Sequence, residues 1–282
     1  MTTLQDTGKK RKQLEDKYYT ASAAAAQCLT QLMSLLANPG GFAWIEPSAG
    51  NGVFLNALKD VLPAARAIGL DIAPGSAHIE KADFFSWDAS DLDATSPRIF
   101  FGNPPFGRQS SLARRFIQRA AQLNAQWIAF ILPRSFEKPS LQKHVPTTYH
   151  LRLSQRLDAN SFIVNEKAYD VPCVFQVWER QAESRAPVPT VEPFGFRYVK
   201  HTEPHDIAIR RVGVNAGSAF LSGGTFSPQS HYFIKFLDAA VVEKRGTITQ
   251  QLSAHEFPSN TTGPRSLSKG EITAVLGPLV QG

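Results

Sequence analysis

Glu46-Pro47-Ser48-Ala49-Gly50-Asn51-Gly52-Val53-Phe54 is the stretch that decides how this chain is read. Just before it stands Phe42-Ala43-Trp44-Ile45-Glu46, an apolar run of strand composition. Just after it, Val53 to Leu62 places Phe54, Leu55 and Leu58 on one side, as an amphipathic helix does. A strand that hands over to a helix through a small-residue loop is where open α/β sheets bind ligands, outside the carboxyl ends of the strands. Gly50 and Gly52 let the backbone approach a ligand closely, and the helix start offers free N–H groups. The loop is not GxGxxG and lacks the lysine of a phosphate loop. Glu46, at the strand end, would repel a phosphate and welcome a cation.

Working outward, the same alternation repeats. Ala21 to Ala37 is rich in Ala, Leu and Gln and stops at Asn38-Pro39-Gly40-Gly41, which predicts a helix with a hard end. Ala67-Ile68-Gly69-Leu70-Asp71 reads as a second strand and Arg98-Ile99-Phe100-Phe101-Gly102 as another. A helix with Leu112, Phe116, Ile117, Ala120 and Leu123 on one side follows, and Trp127 to Leu132 is one more buried strand. Strands alternating with helices predict a parallel sheet covered on both faces. The order then changes: Tyr149 to Leu157 and Val171 to Trp178 read as two strands with no helix between, hence an antiparallel pair at the sheet edge.

Residues 1–16, with Lys9-Lys10-Arg11-Lys12, read as a flexible basic arm, residues 17–180 as the main domain and residues 181–193 as a linker. Residues 194–282 are a small C-terminal region, α+β or mainly β. It has strand-like pieces at Ile207 to Val212 and Tyr232 to Leu237, and a weakly patterned end expected to be poorly ordered. The 282 residues carry a formal charge of +6, which favours a polyanionic partner. Cys28 and Cys173 sit in apolar stretches, as buried thiols of a reducing compartment would. The seven histidines form no metal-ligand pattern, so no metal is expected. A polar start, MTTLQDTGKKRKQ, and the lack of a long apolar run predict an intracellular protein with no signal peptide or membrane span.

Three further places carry chemistry. Asp71 ends its strand about twenty residues after the glycines, where a carboxylate accepts both hydroxyls of a ribose. Asp83-Phe84 offers a carboxylate for an amino group and an aromatic for a flat ring. Gly102-Asn103-Pro104-Pro105-Phe106-Gly107 follows a buried strand directly. Its two prolines stiffen the loop and hold the residue before each extended. The Asn103 side-chain oxygen and the Pro104 carbonyl can then converge on one NH₂ group, stabilising the positive charge that develops as its nitrogen attacks an electrophile. Phe106 supplies a face for the ring that bears the amine.

These residues resemble the class I S-adenosylmethionine-dependent methyltransferases, in particular the N6-adenine group with its (N/D)PP(Y/F/W) signature, here NPPF. The resemblance covers about residues 17–180. It implies a Rossmann-like seven-stranded sheet with helices on both faces and an antiparallel last strand. By the same resemblance Tyr19 and Thr20, in Lys17-Tyr18-Tyr19-Thr20, close over the methionine part of S-adenosylmethionine. Glu46, Ser48, Ala49, Gly50 and Gly52 line the methionine pocket, Asp71 and Ile72 the ribose side, Asp83 and Phe84 the adenine, and Asn103 stands between cofactor and target. Asn103, Pro104, Pro105 and Phe106 form the catalytic corner. Phe162, in the loop between the last two strands (NSFIVNEKAYDVP), is matched to an aromatic that holds a flipped base, with Tyr169 as the neighbour able to replace it. Arg114, with Arg115, Arg119, Lys138 and Lys143, is a candidate for tracking phosphates.

The implied activity is methylation of the exocyclic N6 of adenine in nucleic acid, DNA favoured over RNA by the motif order, with base flipping. A short C-terminal region allows for a protein partner that supplies target recognition. The same acceptors would suit a guanine amino group in RNA or a glutamine amide in a protein. A module that binds nucleic acid without turnover is the remaining class.

Overall fold

The computed structural model describes residues 18–90, 92–93, 95–164, 166–261 and 263–282. The basic arm at 1–16 and Lys17 lie outside them. The chain divides into two compact units, one of Met1–Glu137 with Leu141–Ala186, the other of Lys138–Ser140 with Pro187–Gly282. The cut at Ala186 falls inside the stretch read as a linker.

In chain order the first part contains β1 (Tyr19–Thr20), α1 (Ser22–Met33), β2 (Ala43–Glu46), α2 (Val53–Val61), β3 (Arg66–Asp71), β4 (Glu80–Lys81) and β5 (Arg98–Gly102). Then come α3 (Ser111–Gln122), β6 (Ala125–Pro133), α4 (Pro139–Gln142), β7 (Tyr149–Arg156), β8 (Phe162–Val164), β9 (Lys167–Tyr169) and β10 (Cys173–Arg180). Seven strands form one sheet in the order β4-β3-β2-β5-β6-β10-β7. Pairing is parallel from β4 through β6. β10 runs antiparallel to both β6 and β7. This is the Rossmann-like methyltransferase sheet, with its antiparallel last strand inserted between two others.

Both faces are covered, as near-continuous apolar strands require. On one side Ala113, Phe116, Ile117 and Ala120 of α3 pack on Ile45, Phe100, Ile128 and Phe130. On the other, Ala25, Cys28, Leu29 and Leu32 of α1 with Phe54 and Leu58 of α2 pack on Trp44, Ile99, Phe101 and Ala129. Successive strand residues thus go to opposite cores with the period of two that a pleated strand imposes. Cys28 and Cys173 are fully buried free thiols.

The chain order reverses across β2 and β5, with β3 to one side and β6 to the other. At such a switch point the loops leaving two adjacent strands part and open a crevice. Here those loops are the glycine loop after Glu46 and the proline loop after Gly102.

Two expectations need correction. The segment between β7 and β10 is not plain loop: β8 and β9 form a hairpin, and β8 pairs with β1 (Tyr19↔Ile163, Thr20↔Phe162) into a separate three-stranded sheet. Three-residue strands are too short to show an alternation in sequence.

The second correction concerns the C-terminal end, which is not poorly patterned. The second unit holds β11 (Phe196–Val199), β12 (Ile207–Arg210), β13 (Ala219–Leu221), β14 (His231–Phe236), α5 (Ala239–Glu243), α6 (Arg245–Ala254) and α7 (Lys269–Gln281). Its antiparallel sheet runs β11-β14-β12-β13. A single core joins Phe196, Ile207, Ile209, Ile234 and Phe236 to Ile248, Leu252, Ile272 and Leu276. The start of α7 is fixed by a capping box, Ser268 accepting from the Glu271 backbone and the Glu271 side chain from that of Ser268. Among the described residues no helix is long and apolar enough to cross a membrane.

Candidate cofactor and target site

The glycine loop is built by its own hydrogen bonds. Ala49 N donates to Leu70 O at 2.8 Å and Gly52 N to Ala49 O at 2.7 Å, which folds residues 49–52 into a tight turn against β3. That turn puts Gly50 at φ 54° and Gly52 at φ 83°, in the left-handed region where a side chain is strained. Asp71 secures it from the next strand: its Oδ2 accepts from Gly50 N at 2.7 Å and its Oδ1 from Ala73 N at 2.8 Å. Each carboxylate oxygen keeps a further lone pair, so Asp71 can hold the loop and still accept hydroxyls. Ile72, beside it, is 70% exposed and leaves an apolar surface at the rim.

Glu46 is the unusual residue. It is buried at the end of β2, and its Oε2 has no hydrogen-bond partner. Burial pushes its carboxyl well above the ordinary carboxylate range; a backbone hydrogen bond from Leu55 opposes this, and the Asp71 charge adds to it. The side chain fits there because residue 102 has no side chain. A Cβ on Gly102, whose φ is 120°, would lie 3.0 Å from Glu46 Cγ and 3.2 Å from Oε1. A shielded acceptor left bare is costly. A compact cation that donates hydrogen bonds would relieve it.

The proline loop starts at that same glycine. Asn103 Nδ2 donates to the Tyr18 carbonyl at 3.2 Å, and Ser48 Oγ donates to the Asn103 carbonyl at 3.3 Å. The Asn103 Oδ1, the other arm of the side-chain carboxamide, is shielded with no partner. At the far end, the Phe106 carbonyl accepts from Leu112 N at 3.1 Å and Ala113 N at 3.3 Å, capping α3. Pro104 is buried, and Pro105 and Phe106 are half-buried. Two bare acceptors, Glu46 Oε2 and Asn103 Oδ1, thus belong to strand ends that lie side by side.

The β1 segment covers this corner. The Tyr19 ring lies over the glycine loop, its Cε1 3.4 Å from where a Gly50 Cβ would stand. Thr20 is buried. Ala49 is buried, and Ser48 and Gly50 are half-buried. Asp83 is exposed, and its Oδ1 takes Phe85 N at 3.0 Å.

Other expected contacts are differently employed. Phe84 is a core residue, its ring stacked on Phe116 at 5.2 Å and tilted against Phe100 at 5.7 Å, so it presents no face to a ligand. Phe162 is fully buried beneath Tyr18, edge-on at 6.5 Å, and cannot itself meet a base. Tyr169, 49% exposed and stacked on Tyr18 at 5.7 Å, is the aromatic with a free side. Arg114 is tethered through Nη1 to His144 Nε2 at 3.2 Å, with its Nε shielded. Arg115 lies 4.1 Å over the Phe85 ring. Arg119 donates to the carbonyls of Phe84 and Trp87. Lys138, in the second unit, is buried against Glu271 at 2.9 Å. Arg119 and Lys138 are thereby structural, and Lys143 alone of the five is exposed with no such tie among the described residues. Among the described residues no cluster of His, Cys, Asp and Glu could hold a metal.

Sequence reading had passed over Tyr18 and Gly102. Both lie inside the segments it singled out, but one acts through its carbonyl and the other through a missing side chain. Neither leaves a chemical signature in the residue type.

Taken together, the strand order, the glycine loop bound to Asp71 and the bare Glu46 carboxyl fit a methyltransferase-type domain with S-adenosylmethionine as its cofactor. The residues present fit that molecule: an acid for its amine, a carboxylate for its ribose, and a loop without side chains between them. Residues 69–187 match the family described as the EDM2 methyltransferase-like domain. No curated protein matches the chain.

Among solved structures the chain is similar to a candidate RNA methyltransferase from Pyrococcus horikoshii, at 17% identity over 58% of this chain and 87% of that one, TM-score 0.44. It is also similar to the plantazolicin methyltransferase BpumL in complex with SAH, at 12% identity over 57% and 84%, TM-score 0.40. An rRNA methylase from Streptococcus thermophilus matches at 11% identity over 56% and 95%, TM-score 0.35. Likenesses at this level carry nothing about substrate.

Proposed function

We propose that this chain transfers the methyl group of S-adenosylmethionine to the exocyclic N6 amino group of adenine in a nucleic acid. The observation that carries the reading is Asn103 Oδ1, a shielded acceptor with no partner, on a residue held through its Nδ2 by Tyr18 and through its backbone carbonyl by Ser48, and next along the chain to the glycine that seats Glu46.

When bound, the cofactor supplies a methyl group on a cationic sulfur. Glu46 would hold its amine and Asp71 its ribose hydroxyls. Asn103 Oδ1 and the Pro104 carbonyl accept the two hydrogens of the target NH₂ and stabilise the charge that grows on its nitrogen. No tuned base is required first, because the methylated nitrogen loses its proton to solvent after transfer. Phe106 offers one face of the target pocket and Tyr169 the rim, in the place given to Phe162 from sequence. The reaction is driven chiefly by alignment. In a duplex the base must leave the stack, at a cost of a few kcal/mol, roughly. Residues 194–282 are proposed as the target-recognition region, a task that a protein partner would share.

Incubation with methyl-labelled cofactor and separate pools of DNA, RNA and protein, followed by mass spectrometry of the digested nucleosides and peptides, tests this. N6-methyladenine is the expected product, with DNA the first polymer to examine because of the motif order. Label in N2-methylguanine or in glutamine amide would refute the adenine assignment, and binding without transfer to any pool would refute catalysis.

A further inference from the structure

Resting on the reading just given, we infer that Tyr18 is a positioning residue for methyl transfer, aligning the acceptor and the aromatic wall of the target site at once. Its carbonyl receives Asn103 Nδ2 at 3.2 Å, which fixes the carboxamide so that Oδ1 is the atom left to grip the amine. Its ring stacks on Tyr169 at 5.7 Å with planes 30° apart, and Tyr169 is the exposed aromatic of the corner. Beneath the ring lies Phe162, edge-on at 76° and fully buried. Phe162, Tyr18 and Tyr169 thus form a ladder from the core to the rim, with Phe162 serving the target only through Tyr18.

The ladder's placement follows from pairing. Thr20 is opposite Phe162, and Phe162 is opposite Tyr169, so β1, β8 and β9 carry Thr20, Phe162 and Tyr169 in one row, with Tyr18 two residues ahead of Thr20 at the entry to β1. Ala21 N donates to Ser161 O at 2.9 Å and closes the row at its end. Tyr18 precedes Tyr19, whose ring covers Gly50 of the cofactor loop. The neighbouring residues of one strand entry therefore address the two halves of the reaction, Tyr19 the cofactor side and Tyr18 the target side. A side chain that acts in this way should separate turnover from cofactor binding.

The test compares Tyr18→Leu and Tyr18→Phe with the parent chain. Three quantities are read: S-adenosylhomocysteine affinity by calorimetry, kcat and KM for the methylated polymer at saturating cofactor, and the side-chain amide NMR signal of Asn103 in protein labelled with ¹⁵N-asparagine. An aromatic pair of this kind is worth about a 2- to 12-fold change. The Leu variant should lose about that much or more in kcat/KM for the polymer and shift the Asn103 signal, while cofactor affinity stays within about twofold. The Phe variant, which keeps the ring, should restore both.

Parent-like turnover and an unmoved Asn103 signal in the Leu variant would overturn the inference. So would parallel loss of cofactor affinity, turnover and thermal stability, which marks a merely structural role. Asn103→Ala separates the two levels. If it leaves turnover intact, the proposed function fails; if it abolishes turnover and Tyr18→Leu changes nothing, only the Tyr18 inference fails. The NMR shift needs no turnover, so it decides the positioning role even where no polymer accepts a methyl group.

Discussion

Gly102→Ala is the substitution in which the account puts its sharpest number. The added Cβ would stand 3.0 Å from Glu46 Cγ and 3.2 Å from its Oε1, on a residue whose φ is 120°. An L-residue held in that region carries about 1–3 kcal/mol of strain. The buried Glu46 side chain must therefore shift to admit it. If that carboxylate holds the cofactor amine, its displacement forfeits a charge-assisted hydrogen bond worth about 1.5–3 kcal/mol, or a 10- to 150-fold weaker Kd, roughly. Calorimetric titration with S-adenosylhomocysteine measures this directly, because that product retains the amine. Gly246→Ala is the control, since a Cβ there meets nothing within 4 Å. Parent-like affinity in Gly102→Ala would show that Glu46 does not face the amine, and the assignment of the methionine pocket would go with it.

Three other outcomes follow from the same geometry. Burial holds the Glu46 carboxyl protonated above its ordinary range, and an ammonium partner favours the ionised form, so cofactor binding should release a proton. Affinity should therefore rise with pH between the ordinary glutamate value and the raised one, and calorimetry in buffers of different ionisation enthalpy reads the proton count. The sign for stability is the reverse: a raised carboxyl makes the free protein lose stability as pH climbs through that window, and Glu46→Gln should flatten the loss in a series of thermal melts. Asp71→Ala removes acceptors from Gly50 N and Ala73 N; it should cost about 2–4 kcal/mol in urea unfolding and abolish measurable cofactor binding. Ser268→Ala breaks the capping box of α7 and should cost about 0.5–2 kcal/mol in the second unit, seen by hydrogen exchange in α7, without change in cofactor affinity.

The parts of the fold that were legible in sequence are those with a long-period signal or a special backbone need. The runs around Trp44, Phe100 and Ile128 are apolar on both sides because helices cover both faces of the sheet, and that writes buried strands plainly into composition. Glu46, Gly50, Asp71 and Asn103 were legible because each sits at a strand end, where the residue type is set by a ligand or a turn. Phe84 and Phe162 misled for a physical reason: an aromatic next to a functional loop fills core as readily as it stacks on a ring, and sequence does not say which face it shows. Arg119 and Lys138 misled likewise, since a cation near the motif can end on carbonyls or a buried carboxylate. The pairing of β8 with β1 rests on contacts more than a hundred residues apart, which no local pattern reports, and the three-residue strands of the β8–β9 hairpin are too short to write an alternation. The start of α7 was in fact written in Ser268-Lys269-Gly270-Glu271, a capping signature lost among the Gly and Pro around it.

The central claim is that Asn103 grips the amine that receives the methyl group. Asn103→Ala, assayed for N6-methyladenine formation beside a calorimetric titration with S-adenosylhomocysteine, addresses it most directly. The account predicts cofactor affinity close to the parent's and transfer reduced by about a hundredfold or more, as for loss of a preorganised charge-stabilising group. Undiminished transfer in that variant would contradict it.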